Sequence, residues 1–74
     1  MNPNATELAA NLPDTIKIIG YGRHKYTGQL RVSLTGEKTE VSNLIQENSY
    51  KAEVMDASLF DNDNVIAYVD VRAD

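Results

Sequence analysis

Six consecutive residues, Tyr21-Gly22-Arg23-His24-Lys25-Tyr26, carry most of the chemistry this chain can offer. Arginine and lysine supply charge and hydrogen-bond donors for an anion, and the tyrosine rings supply flat surface for stacking on a base or on a partner's side chain. The glycines let a backbone come close. With Arg31 these residues sit in a stretch, 15–36, that holds four basic residues and no acid. The plainer reading is a solvated hairpin loop whose charges maintain solubility and whose tyrosines cover a sheet edge.

A second set is acidic. From Glu37 onward nine acids face three bases, so the charge by segment is −2 over 1–14, +4 over 15–36 and −6 over 37–74. Glu53, Asp56, Asp61, Asp63 and Asp70 are its candidate surface members, able to imitate a nucleic-acid backbone or simply to solvate the domain. A field divided in this way steers encounters without specifying a fold.

Other chemistries lack their residues. With no cysteine and a single histidine, thiolate metal sites and disulfides are excluded and a zinc site is not expected. His24 has no serine or cysteine at a telling spacing. Gly20-Tyr21-Gly22 matches neither a P-loop nor a dinucleotide fingerprint. Asp61-Asn62-Asp63-Asn64 has the oxygens a calcium loop needs, but no glycine or glutamate at the required positions, so a tight turn is expected there. No cofactor is implied, and the chain reads as non-enzymatic.

These groups need elements to hold them. Asn4 and Glu7 have the spacing of a capping box ahead of Ala5, Leu8 and Leu12, and Pro13 ends that short helix. Thr15–Tyr21 reads as a strand, with Gly20 and Gly22 permitting a bulge. Gln29–Thr35 alternates, Leu30, Val32 and Leu34 sharing a face, so the two strands form a hairpin with a basic, aromatic tip. Val41, Leu44 and Ile45 make a helical face within 39–48, with Thr39 as its cap; a strand there is the competing reading. Tyr50–Asp56 alternates again. Val65–Val71 is apolar on both faces, Ile66 and Tyr68 forming the second, as in a central strand or one that shows that face to a partner.

The expected fold is a single α+β domain over 1–74, an antiparallel four-stranded sheet with one or two short helices in the order α-β-β-α-β-β. The alternative is a mostly-β five-stranded meander or small barrel with an N-terminal helix. At 74 residues and 42% hydrophobic composition a core forms, but a marginal one, and self-association into a homodimer is a route to added stability. No apolar run spans a bilayer and no signal peptide opens the chain, so a cytoplasmic setting, in a cell or an infected host, is expected.

The leading functional expectation is a small acidic protein-binding module, an inhibitor or accessory protein of the phage or mobile-element type, contacting its partner through Tyr21, Arg23, His24, Lys25, Tyr26, Arg31, Ile66 and Tyr68. The alternatives are a nucleic-acid-binding module using the tip 21–26, an acidic nucleic-acid mimic that blocks a nucleic-acid-handling enzyme, and a structural subunit of an assembly.

Overall fold

A computed structural model describes residues 2–56 and 63–73. The element order is α1 (Ala5–Asn11), β1 (Lys17–Arg23), β2 (Leu30–Glu37), α2 (Lys38–Asn48), β3 (Ala52–Asp56) and β4 (Asn64–Asp70). The strands form one antiparallel sheet in the order β1-β2-β4-β3. This is the expected α-β-β-α-β-β domain, not the five-stranded alternative, and β4 is a central strand, one of the two readings its apolar faces left open.

Alternation fixes which face is covered. Val32 and Leu34 of β2 lie opposite Val69 and Ala67 of β4, and these four are buried with Val65. Leu8 of α1 and Val41 and Leu44 of α2 pack on that same core, so both helices cover one face of the sheet. The other face has no layer over it among the described residues.

The helix ends show how local signals were used. Asn4 Oδ1 accepts the Glu7 backbone N–H at 2.8 Å, the first half of the capping box. The second half is replaced: the Glu7 carboxylate pairs with the Arg72 guanidinium. Arg72 Nε also donates to Asn2 O, and the Arg72 N–H to Pro3 O, which ties both chain ends together beside α1.

At α2 the expected cap at Thr39 is wrong. Glu37 is the N-cap residue and makes no side-chain cap bond. The chain passes from β2 into α2 with no intervening loop, and the Lys38 N–H donates to Asp63 O at 2.8 Å instead of to a capping side chain. Gly36 permits this sharp passage. A Cβ there would lie 2.9 Å from Ile16 Cγ1, a distance real Cβ atoms essentially never show, and 3.1 Å from Thr15 O, tighter than most Cβ contacts. The helix ends with Ser49 in the left-handed region (φ 54°), where the Ser49 and Tyr50 N–H groups return to Gln46 O and Ile45 O.

No helix among the described residues is long and apolar enough to cross a membrane. Of the expected Asp61–Asn64 turn, Asp61 and Asn62 lie outside the described residues; Asp63 is in a turn and Asn64 already begins β4.

Candidate functional site

Strand register assembles the uncovered face in rows that cross the sheet. One row runs Gly20, Ser33, Tyr68, Glu53, one residue from each strand. The next, nearer the β1–β2 tip, runs Gly22, Arg31, Asp70. Because β1 contributes only glycines to these rows, the sheet is bare along that strand, and a Cβ at Gly20 or Gly22 would meet nothing within 4 Å. The result is a cleft of about 350 Å³ floored by Gly20, Gly22, Arg31, Ser33 and Tyr68, with Glu53 on its far side and the tip residues on its near side.

The tip is held by its own hydrogen bonds. The His24 N–H donates to Gln29 O at 2.7 Å and the Gly28 N–H to His24 O at 3.0 Å, closing the loop. Gly28 turns the chain at φ 75°. His24 Nδ1 accepts from the Tyr26 and Thr27 N–H groups at 3.1 and 3.2 Å, so the ring serves as an internal scaffold. Arg23 Nη1 donates to Gly28 O at 3.1 Å. Lys25 Nζ stands 5.6 Å from the centroid of the Tyr26 ring, within reach of a cation–π attraction. Tyr26 and Tyr21 are 84% and 72% exposed, large aromatic surfaces left to solvent. The bulge expected from the glycines falls between Ile18 and Gly20, where Ile19 has no partner on β2.

Of the eight candidate contact residues, seven border this one cleft: Tyr21, Arg23, His24, Lys25, Tyr26, Arg31 and Tyr68. Ile66 does not. It pairs with Thr35 and Met55 one row farther from the tip. Tyr21 and Arg23 alternate with the glycines and therefore also line a second cleft of about 350 Å³ on the other side of β1, with Ala5, Leu30, Val71 and Arg72. Ser33, Gly20 and Gly22 were missing from the candidates. The alternation of Gln29–Thr35 already places Ser33 on the face of Arg31, but only the pairing with β1 shows that glycines lie beside them.

The charges are less divided than the segment totals suggest. Arg31 Nε donates to Asp70 Oδ1 at 2.8 Å directly across β2 and β4. Asp70 is only 5% exposed. It is thus no member of an exposed acidic surface, and Arg31 is no free cation. Arg23 and Lys25 make no ion pair among the described residues. Glu53 and Asp63 are exposed; Asp61 lies outside the described residues, and of Asp56 only the backbone, paired with Val65, is described. Among the described residues, no three His, Asp or Glu side chains are grouped as metal ligands.

Comparison of the chain with protein-family models, with curated proteins and with solved structures finds no match in any of the three.

Proposed function

We propose that this chain is a small acidic, non-enzymatic protein-binding module, inhibitory or accessory in role, that docks its partner on the cleft beside the β1–β2 tip. The observation that carries the reading is the cleft itself: exposed tyrosine surface and two cations without an ion pair among the described residues converge on a floor left bare by Gly20 and Gly22. Tyrosine and arginine are favoured anchors of protein interfaces. The complementary partner surface presents an acidic side chain, for Arg23 and Lys25, next to an apolar or aromatic one, for Tyr26 and Tyr68.

Magnitudes favour a protein over a nucleic acid. Duplex binders neutralise on the order of 6–10 phosphates. Here Arg31 is engaged by Asp70, Glu53 stands on the cleft wall, and the whole chain carries −4. Arg23 and Lys25 alone support only weak phosphate binding. The acidic-mimic reading is weakened in turn by the burial of Asp70.

The test is Gly22→Val. Gly22 has ordinary backbone angles and open space where its side chain would go, so the variant folds while its isopropyl group fills the cleft. A stoichiometric protein retained by wild type, and lost with both Gly22→Val and Tyr26→Ala, supports the proposal. Retention of nucleic acid alone, with a salt slope that flattens in Arg23→Ala/Lys25→Ala, overturns it in favour of the nucleic-acid reading.

A further inference from the structure

The two edges of the sheet are unlike each other, and each offers what the other lacks. At one edge β1, with the tip that follows it, carries Lys17, Arg23 and Lys25 and no acid. At the opposite edge β3 has the sequence Ala-Glu-Val-Met-Asp, with two acids and no base, and with the exposed Lys51 directly ahead of it the edge is acidic by one charge. Large apolar side chains stand exposed on both: Ile19 at 54% beside Tyr21 on β1, and Val54 and Met55 at 44% and 51% on β3. Among the described residues no strand pairs with the outer side of either. Unpaired backbone on an edge strand is a template for another strand.

We infer that the chain associates with a second copy of itself head to tail, β3 of one copy adding to β1 of the next. Strand direction permits it. Every neighbouring pair in β1-β2-β4-β3 is antiparallel, so β1 and β3, first and last of four, run in opposite directions. A copy added in the same orientation therefore continues the antiparallel alternation across the joint, and both helix layers stay on one side of the extended sheet. Charge selects this joint over its rivals: β1 against β1 opposes Lys17 and Arg23 to themselves, and β3 against β3 opposes Glu53 to itself. The bulge at Ile19 limits the regular ladder to Gly20–Arg23, four residues, against five in β3. An interface of that size is below the area of stable complexes, so the association is weak and dynamic. It is also open-ended, because a head-to-tail joint uses different surfaces on its two sides.

The experiment is sedimentation of the full chain over a concentration series up to about 1 mM, a range suited to an interface this small. Wild type is expected to self-associate at low salt and to lose roughly tenfold in association constant in 1 M NaCl, where the screening length falls to about 3 Å. Ile19→Asp sets an acid against the acidic β3, and Met55→Lys sets a base against the cationic β1. Both positions are more than half exposed, so each variant keeps the fold, checked by circular dichroism; Lys17→Glu, which removes no apolar surface, is the second probe of the β1 edge.

Each variant alone sediments as a monomer, and an equimolar mixture of Ile19→Asp with Met55→Lys recovers association, because each copy supplies the edge the other has lost. Three results overturn the inference: a wild-type monomer throughout the low-salt series, a mixture that stays monomeric, or a variant that self-associates as well as wild type. The last identifies a symmetric joint through the unaltered edge.

Discussion

Removing the carboxylate of Asp70 tests the most consequential pair in the molecule. Its Oδ1 lies 2.8 Å from Arg31 Nε, with side chains 8% and 20% exposed respectively. At an effective dielectric of about 20 the gross attraction at that separation is about 6 kcal/mol, but withdrawing both ions from water offsets most of it. The net value of the intact pair is therefore small, whereas breaking it is costly. Asp70→Ala leaves an arginine side chain that is four-fifths covered without its partner. That costs about 2 kcal/mol, below the 3–5 kcal/mol typical of a fully buried pair because Arg31 keeps some water. Arg31→Met strands the more deeply buried carboxylate and costs about 2–3 kcal/mol. Replacing both, as Arg31→Met/Asp70→Val, removes the desolvation along with the attraction and stays within about 1 kcal/mol of wild type.

The assay is urea unfolding with linear extrapolation, all four proteins giving the same slope. A loss of 2 kcal/mol moves the melting temperature of a domain this small by roughly 8–16 °C, so thermal melts read the same order. The cycle yields a coupling of roughly 3–5 kcal/mol. Single variants that cost less than about 0.5 kcal/mol each, and simply add in the double, would refute the reasoning and make the pair an ordinary screened surface contact.

Other substitutions probe separate links between sequence and fold. Gly36→Ala puts a methyl 2.9 Å from Ile16 Cγ1 and costs about 1–3 kcal/mol in urea, whereas Gly22→Ala, with nothing within 4 Å, stays within about 0.5 kcal/mol of wild type. His24→Ala deprives the Tyr26 and Thr27 N–H groups of their acceptor and raises their hydrogen exchange about tenfold, while His24→Asn keeps an acceptor and most of the protection. Ser49→Gly relieves a left-handed serine and adds about 0.5–1 kcal/mol to stability, measured by the same unfolding curves. Leu34→Ala opens a cavity at a fully buried site and costs about 2–5 kcal/mol, a large part of what a domain this small can hold, so its far-UV circular dichroism at 37 °C falls well below that of wild type.

Local signals were enough for most elements, with 39–48 left open between helix and strand. Asn4, Glu7 and Pro13 mark α1 within the range of side chains that touch within a turn or two. The spacing of Val41, Leu44 and Ile45 marks α2, and the two apolar faces of 65–71 mark an inner strand. The joining of the two hairpins was not legible. It rests on β2–β4 pairing, Leu34 with Ala67 and Arg31 with Asp70, across sequence separations of more than thirty residues, where no periodicity or turn residue speaks. The same gap hid the fate of Asp70. An acid closing an apolar strand looks like any solvated charge until the register sets it opposite an arginine. Thr39 misled for a related reason: capping residues matter when a loop leads into a helix, and here β2 runs straight into α2 where Gly36 lies close against Ile16, the residue just ahead of the paired strand β1.

That strand order also decides what becomes of the charge division along the chain. Had the hairpins met through β1, the basic strand would lie inside the sheet with the acidic hairpin along its other side, and the segment totals would cancel in space. Because β2 and β4 meet instead, β1 and β3 are driven to opposite edges. The one base on an inner strand, Arg31, is neutralised by Asp70, while Lys17, Arg23 and Lys25 remain with β1 and Glu53 with β3. The linear sorting of charge thus survives as a polarity across the width of the sheet, carried by its rims and not by its centre. A polarity of that kind acts on whatever approaches the edges or the tip, and for this reason both proposed contacts, the cleft beside β1 and the joint between β3 and β1, fall where the pairing of strands stops.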